Sequence, residues 1–409
     1  MPSQVHAGAR DDVITGAGVV PVFQPIVDLT TGSVVAYEAL ARWPGRPDVD
    51  PGRVFALAVE HGTLVELDRS CRRAAVDGAV AGGLPPGATL FVNAEPAGLT
   101  ADTAGPLADL DARGLSLVIE LTERALLRAP GDLLRVVAGA RAAGLRIALD
   151  DVGACPDSLA LLDLVMPDVI KLDLALVQES PSSDQARTLA AVMAHRERTG
   201  TTVLAEGIES ATHRERALAC GATLGQGWLL GRPAPLDATA AGLERLPLPL
   251  DAGRPTPATP ADLLAEFGTT QVASKRWLVA LTRHLETQAD NPADPPVVLS
   301  TLQTVARFTP TTRDRYRHLA GRSPLVAVFA TDMAREPEAG VRGVAIADDD
   351  PLLGEWTIVA LGAQTAAALI ARDLGDTGPD AERRFEFVIT YDRAVVTRAA
   401  RSLVSRLVR

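Results

Sequence analysis

The hydrophobic pattern of residues 19–246 alternates between two kinds of segment. Short runs rich in β-branched and apolar residues predict strands, and longer stretches rich in Ala, Leu and Arg predict helices. The predicted strands are 19–23, 33–40, 89–93, 115–120, 145–149, 168–172, 202–205 and 223–229, and the predicted helices include 53–81, 132–143, 184–199 and 211–219. Eight strands alternating with helices over about 230 residues are typical of a TIM-like (β/α)8 barrel of the α/β class. An open doubly wound sheet is less favoured, because no glycine-rich turn follows the first strand.

The pattern changes on either side of this region. Residues 1–18 are small and polar, which predicts an N-terminal tail, and residues 247–260 are Pro-rich without apolar periodicity, which predicts an extended linker. Residues 261–409 predict a smaller mixed α/β domain. Its predicted helices are 271–288, 363–373 and 393–408, and its predicted strands are 296–299, 324–330, 355–361 and 385–391.

Composition narrows the range of functions. The 409 residues are 47% hydrophobic and 22% charged, as in ordinary globular proteins, and the net charge of −11 argues against direct nucleic-acid binding. The start of the chain lacks the apolar core of a signal peptide, and no apolar run reaches the roughly 20 residues of a spanning helix. Three cysteines without a CxxC spacing exclude a disulfide scaffold and a thiolate zinc site. We therefore expect a cytoplasmic protein that does not contact the membrane.

Common hydrolase motifs are also missing. The chain has two lysines, Lys171 and Lys275, and neither follows a GxxxxG run, so the sequence contains no phosphate-binding P-loop. The zinc motif HExxH and the serine-nucleophile motif GxSxG do not occur.

Polar side chains follow almost every predicted barrel strand. In chain order they are Glu38 and Arg42, Asn93, Glu120 and Glu123, Asp150 and Asp151, Lys171 and Asp173, Glu206 and Glu209, and Gln226. The carboxyl ends of barrel strands meet at one mouth, so we expect these groups to converge. Carboxylate and amide oxygens without His or thiolate suit Mg²⁺ or Mn²⁺, and clustered carboxylates repel one another unless cations neutralise them.

Two such ions can activate a water against a phosphodiester. Arg42 offers a bidentate guanidinium for a phosphate, and Lys171, in an apolar strand among acids, fits a charge that orients the water. Each acid alone has an ordinary explanation, since a lone Glu can complement a helix dipole and the pair Asp150 and Asp151 can cap a helix. That explanation must be repeated independently on strand after strand, which favours a common site.

The same residues lie in motifs that resemble the EAL domain of cyclic di-GMP phosphodiesterases. The resemblance covers about residues 15–245 in order and at compatible spacing. Its motifs are QPI (24–26), YEALAR (37–42), FVN (91–93), ELTE (120–123), DD (150–151), IKLD (170–173), AEGIE (205–209) and GQGW (225–228).

This resemblance implies hydrolysis of cyclic di-GMP to the linear dinucleotide pGpG with two Mg²⁺ or Mn²⁺ ions, and a possible homodimer formed through the barrel. The family pattern assigns a role to each matching residue. One metal would be held by Glu38, Asn93, Glu120 and Asp150, and the second metal and its water by Asp150, Asp151 and Glu206. The water and phosphate site would be lined by Lys171 and Gln226, and the dinucleotide would be contacted by Gln24, Arg42 and Asp173. The loops would be supported by Glu123 and Glu209.

One segment departs from the family. Where the family usually reads DDFGTGYSSL, this chain reads DDVGACPDSL at 150–159. Both aspartates are kept, but a proline and an extra acid replace residues of the loop, which stiffens it. This departure leaves open a second function, a receptor that binds cyclic di-GMP without cleaving it. A protein-interaction scaffold that binds no nucleotide is a third.

The C-terminal part resembles the DICT domain, a sensory module found beside cyclic di-GMP enzymes. The resemblance rests on apolar positions and on a few polar ones, among them Phe308-Thr309, Asp350-Pro351-Leu352, Glu355-Trp356 and Tyr391-Asp392. An ordinary α/β accessory domain is the alternative.

Overall fold

The computed structural model describes residues 12–46, 49–96, 114–122, 130–153, 156–236, 243, 246, 248 and 256–407. The chain divides into two compact units. The first comprises residues 1–125, 135–156 and 167–251, and the second comprises residues 126–134, 157–166 and 252–409. The domain boundaries predicted above differ from this division at two internal segments, which lie among the barrel elements in the chain but belong to the second unit.

The first unit is a closed barrel in which the strands follow chain order. The strands are β1 (Val20–Asp28), β2 (Val34–Arg42), β3 (Thr89–Asn93), β4 (Ser116–Thr122), β5 (Arg146–Val152), β6 (Val169–Leu172), β7 (Thr202–Ala205) and β8 (Leu224–Gly225). The predicted TIM-like barrel is confirmed. Its interior is filled by apolar residues such as Ile26, Phe91, Val118 and Leu204, all at most 2% exposed.

The first strand departs from the all-parallel pattern of a (β/α)8 barrel, because β1 pairs antiparallel with both β2 and β8. A parallel connection needs a crossover of about a dozen residues or more, and the short turn after β1 cannot supply it. In that turn Asp28 accepts the backbone N–H groups of Thr30 and Thr31, and Gly32 adopts a φ of 75°. β2 to β8 then pair in parallel, so their carboxyl ends share one mouth.

Helices connect the later strands. They are α1 (Pro51–His61), α2 (Leu64–Ala81), α3 (Pro130–Ala142), α4 (Leu162–Val165), α5 (Leu174–Gln178), α6 (Ser183–Thr199) and α7 (Ala211–Ala219). The single helix predicted over 53–81 is wrong, because Gly62 ends α1 in the left-handed conformation and α2 begins two residues later. The helices predicted at 132–143, 184–199 and 211–219 are confirmed within two residues.

The second unit is built on a seven-stranded sheet in the order β12-β11-β10-β13-β14-β15-β9. Its elements are β9 (Gln271–Ser274), α8 (Lys275–Ala289), β10 (Val297–Thr304), α9 (Pro310–Ala320), β11 (Val326–Thr331), β12 (Val341–Ala345), β13 (Glu355–Leu361), β14 (Ala366–Asp373), β15 (Arg384–Thr390) and α10 (Arg393–Val404). β10, β11 and β12 are parallel, and the other pairings are antiparallel, so the predicted mixed α/β fold is confirmed.

The helix predicted over 363–373 is wrong, since these residues include strand β14. This strand is hydrogen-bonded between β13 and β15 and is buried from Ala368 to Ala371. A short apolar run that is buried on both faces has no alternation to mark it as a strand, so the sequence pattern alone cannot separate it from a helix.

The segment 157–166 belongs to the second unit although the chain runs through it from β5 to β6. Its Leu161, Leu162 and Leu164 are at most 2% exposed. Arg401 of α10 donates to the carbonyl oxygens of Leu164 (2.9 Å) and Asp163 (3.2 Å), and Arg393 pairs with the Asp163 carboxylate. None of the described helices has the length and apolar composition needed to cross a bilayer.

Candidate metal site at the barrel mouth

Strand register brings the first group of polar side chains together. Gln24 on β1 lies opposite Glu38 on β2, and Asn93 on β3 lies opposite Glu120 on β4. The Glu38 carboxylate accepts hydrogen bonds from Gln226 Nε2 (2.6 Å) and Asn93 Nδ2 (3.1 Å). Gln226 Nε2 also donates to Gln24 Oε1 (3.0 Å), so residues from four strands or strand ends form one connected group.

Lys171 lies in the centre of the acids. Its Nζ contacts the carboxylates of Glu120 (2.7 Å), Glu206 (2.8 Å), Asp150 (3.0 Å) and Glu38 (3.4 Å), and its side chain is 1% exposed. A buried ammonium is stable only beside compensating negative charge. Here four carboxylates surround a single cation, so the group as a whole carries a negative excess.

A distortion of β5 brings two consecutive acids to the same side. Adjacent residues of a regular strand point to opposite faces, which would separate Asp150 from Asp151. The pairing of β5 with β6 shifts register between Leu149 and Val152, and Asp151 adopts a left-handed φ of 58°. Oxygen atoms of Asp150, Asp151 and Glu206 consequently lie within 4.8 Å of one another. Bulges and strained backbone of this kind concentrate at functional sites.

Burial and mutual repulsion change the acidity of this group. Burial raises the pKa of Glu206 to about 8, with Asp150 and Glu38 adding to the rise and Lys171 opposing it. Burial also raises the pKa of Glu120 well above its usual range, helped by Glu38. Burial acts on Glu38 in the same direction, but Lys171 and the hydrogen bond from Gln226 outweigh it and lower the pKa of Glu38. Lys171 alone therefore cannot balance the charge of all these carboxylates, and the raised pKa values favour protonation of Glu206 and Glu120.

The donor atoms of this group suit a hard divalent cation. All the donors are carboxylate or amide oxygens, which Mg²⁺ and Mn²⁺ prefer. Glu120 Oε2 is buried without a hydrogen-bond partner among the described residues, as is Gln226 Oε1. The cluster of Asp150, Asp151 and Glu206 has a spacing that can hold an ion.

A glycine allows two loops of the site to approach each other closely. Gly227 adopts a φ of 154°, and a Cβ atom there would lie 2.3 Å from the backbone of Ile208. The backbone of the loop that carries Gln226 therefore approaches the loop after β7 more closely than any other residue would allow.

The remaining predicted site residues lie outside this network. Arg42 donates to its neighbour's carbonyl oxygen at Ala41 (2.8 Å) and lines a cavity of about 230 Å³ beside Asn93. Asp173 accepts the backbone N–H of Ala175 (2.8 Å) and caps α5. Glu209 is exposed. Glu123 and the altered positions 154 and 155 lie outside the described residues.

Sequence reasoning missed a supporting pair on α2. Asp68, which is 2% exposed, pairs with Arg72 (2.8 Å) and accepts the backbone N–H of Glu95 (2.9 Å), two residues beyond Asn93. Asp68 thus fixes the backbone that follows Asn93, and it lines the same cavity. An Asp and an Arg four residues apart on a helix read as a solvated ion pair, so the spacing alone gave no signal of burial.

Comparisons with known proteins match both parts of the chain to family models. The family model of the EAL domain matches residues 9–233, and the model described as "Sensory domain in DIguanylate Cyclases and Two-component system", DICT, matches residues 261–374. The chain is 29% identical over 228 residues to the bifunctional diguanylate cyclase/cyclic di-GMP phosphodiesterase MucR of Pseudomonas aeruginosa, which covers 53% of this chain and 33% of MucR. It is 29% identical over 259 residues to the cyclic di-GMP phosphodiesterase NbdA of the same organism, covering 58% of this chain and 31% of NbdA.

Among solved structures, a manganese and cyclic di-GMP complex of BlrP1 from Klebsiella pneumoniae is 31% identical, covers 54% of this chain and 57% of its own, and has a TM-score of 0.48. The matched part spans about a third of the length of MucR and NbdA. The EAL model covers more than half of the 409 residues. The chain therefore belongs to the EAL-domain family, with a DICT domain in its C-terminal part.

Proposed function

We propose that the first unit hydrolyses cyclic di-GMP to pGpG with two Mg²⁺ or Mn²⁺ ions, and that the C-terminal domain regulates this activity. The observation that carries the proposal is the charge imbalance around Lys171. Five carboxylates, those of Glu38, Glu120, Asp150, Asp151 and Glu206, belong to a group with one ammonium. Such an arrangement suits divalent cations, and relatives in the family are named as cyclic di-GMP phosphodiesterases.

In this proposal Glu38, Asn93, Glu120 and Asp150 hold one ion, and Asp150, Asp151 and Glu206 hold the other. When bound, the pair would lower the pKa of a water and neutralise charge on the phosphodiester. Water attack on phosphorus would then break the bond to the 3′ oxygen and leave the 5′ phosphate of pGpG. Hydrogen bonds from Gln226 and Asn93 keep the Glu38 carboxylate oriented.

Lys171 has a role that is separate from metal binding. Lys171 is buried and cannot leave the site, so it supplies a permanent positive charge that stabilises the developing charge on the phosphoryl oxygens. Arg42 offers its guanidinium to the second phosphate, with Gln24 and Asp173 at the dinucleotide. Because Asp173 also caps α5, we expect its substitution to shift that helix as well as any substrate contact.

The test is hydrolysis by the purified full chain in saturating Mn²⁺, with pGpG separated by chromatography. Glu38→Gln keeps the size of the side chain but removes a ligand charge, and we expect a loss of at least about 100-fold in kcat. Glu215→Gln on the exposed face of α7 is the matched control and should keep wild-type activity. Equal activity of both variants would refute the proposed hydrolysis at this site, and so would wild-type protein that releases no pGpG.

The sequence between 152 and 158 favours a second function, a receptor that binds cyclic di-GMP without turnover. This loop follows the two aspartates directly, and its proline and added acid differ from the family pattern. Calorimetry with cyclic di-GMP, run beside the hydrolysis assay, separates the two functions. Tight binding without pGpG selects the receptor, and a protein that does neither is a scaffold. Sedimentation with and without the dinucleotide tests the proposed homodimer.

A further inference from the structure

A second charged cluster lies in the second unit, where a single carboxylate contacts three cations. Asp380 accepts from Lys275 Nζ (2.6 Å), from both terminal nitrogens of Arg307 (2.5 Å for Nη2), and from Arg383 Nη1 (3.4 Å). Arg383 also pairs with Asp373. Three cations against two carboxylates leave this cluster with a positive excess, so one of its cations has no carboxylate of its own.

Lys275 makes the excess costly. It is 8% exposed, and its position as the first residue of α8 places a positive charge at the helix end that already carries a partial positive charge. Burial lowers the pKa of Lys275, and the nearby Arg307 and Arg383 lower it further, while Asp380 raises it. An ammonium in this position is stabilised only while an anion stays beside it.

The anion that fills this role comes from an exposed loop. Asp380 begins a three-residue 3-10 turn between β14 and β15, and its side chain is 47% exposed, against 10% for Lys275. Gly375 and Gly378 in the same loop adopt positive φ angles. Exposed ion pairs contribute little to stability, so a carboxylate on such a loop can be exchanged for another anion.

Aromatic rings line the cluster. Lys275 Nζ lies 6.0 Å from the centre of the Trp356 ring, Phe385 meets Trp356 edge to face at 5.9 Å, and the Arg383 guanidinium lies 5.6 Å over Phe385. The rings hold the cations in place by cation–π attraction. The cluster therefore combines fixed cations with a replaceable anion.

We propose that Lys275, Arg307 and Arg383 form a binding site for a phosphate-bearing small molecule, and that Asp380 occupies this site in the unliganded chain. A phosphate carries more negative charge than a carboxylate and offers three acceptor oxygens, which suits two guanidinium groups and an ammonium. Binding would release Asp380 and free the loop between β14 and β15. This site is independent of the hydrolysis proposed for the barrel.

Isothermal titration calorimetry measures the binding of inorganic phosphate to the full chain, at low ionic strength and in the presence of a chelator. Asp380→Asn removes the internal competitor, and we expect phosphate to bind about tenfold more tightly, which is about 1.4 kcal/mol. Glu382→Gln removes the same charge from the same turn, but Glu382 pairs with Arg276 outside the cluster, so affinity should stay within about twofold of wild type. Equal gains in both variants would reduce the effect to net charge and overturn the proposal.

Two further variants guard against misfolding and against binding elsewhere. Arg307→Gln replaces a side chain that is 37% exposed, and it should weaken phosphate binding at least about fivefold without change in the circular dichroism spectrum. Lys275→Met combined with Asp380→Asn should abolish the gain. Phosphate affinity that survives both changes would place the anion elsewhere in the chain and refute the site.

Discussion

The charged clusters of the two units are opposite in composition. In the barrel one ammonium, Lys171, contacts four carboxylates, and in the second unit one carboxylate, Asp380, contacts three cations. Lys171 at the centre of the barrel cluster is 1% exposed, whereas Asp380 at the centre of the other cluster is about half exposed. The sign of the excess charge thus indicates whether a cluster suits a cation or an anion. The burial of the central charged group determines how much stability the protein loses without its counter-charge.

The largest expected effect is the loss of the barrel's cation. Lys171→Met leaves the surrounding carboxylates buried without a counter-charge, and breaking such a group destabilises a protein by about 3–5 kcal/mol. Denaturant unfolding in a chelator at pH 8 measures this loss, and added Mn²⁺ should restore more stability to the variant than to wild type. Lys275→Met, the change of the only other lysine, is the control and should cost less, because its partner Asp380 is exposed. Equal losses of stability in the two variants would show that burial does not determine the cost of removing the lysine.

The second effect is a pH dependence of the metal-free barrel. The folded pKa of Glu206, about 8, lies above its ordinary value of 4.5, so the folded state binds more protons than the unfolded state between these values. Stability should therefore fall as pH rises from about 4.5 to about 8, by at most about 1.4 kcal/mol for each pKa unit. Unfolding of Glu206→Gln in a chelator should show a flatter dependence. Saturating Mn²⁺ should flatten the wild-type curve, and a slope that metal does not change would contradict the assignment.

A third, smaller effect concerns a buried acid that lacks a lysine. Burial raises the pKa of Glu355 in the second unit to about 7, although it accepts the backbone N–H of Ala261 (3.0 Å) and has Arg372 nearby. Since its folded pKa is raised from 4.5, its contribution to stability is lost as pH rises from about 4.5 to about 7. Glu355→Gln should be more stable than wild type at pH 8, by about 1–3 kcal/mol, and equal to it near pH 4.5. A variant less stable at pH 8 would show that the charged form is the favoured one.

The smallest effect comes from a largely exposed ion pair beside the second cluster. Arg276 and Glu382 lie 2.8 Å apart, with side chains 74% and 56% exposed. Arg276→Ala should change the unfolding free energy by less than about 0.5 kcal/mol, and added salt should reduce this difference further. A larger change would show that exposure is a poor guide to the strength of these clusters.

The sequence predicted the barrel well because its strands alternate with long amphipathic helices. All eight predicted barrel strands start within one residue of the strands in the structure, and the prediction of β13 in the second unit is correct at both ends. The polar residues that end the strands were identified from their positions and from the EAL-like motifs. The structure brings Glu38, Glu120, Asp150, Lys171 and Glu206 into contact. Their roles as metal ligands and catalytic groups stay predictions.

What could not be predicted depends on three-dimensional contacts. The burial of Asp68 follows from the backbone of residue 95, which is distant in sequence. Strand β14 was mistaken for a helix because its neighbours in the sheet, and not its own pattern, determine its conformation. The bulge that aligns Asp150 with Asp151 arises from pairing with β6, and no local signal marks it.

The detour of residues 157–166 into the second unit bears on how this protein can be dissected. A truncation at the Pro-rich segment would remove α10 and leave Leu161, Leu162 and Leu164 of this detour without the packing that buries them. Such a fragment would expose these apolar side chains in the segment of the chain that joins β5, which carries Asp151, to β6, which carries Lys171. Poor solubility or weak activity of an isolated barrel would then report on the cut rather than on its chemistry.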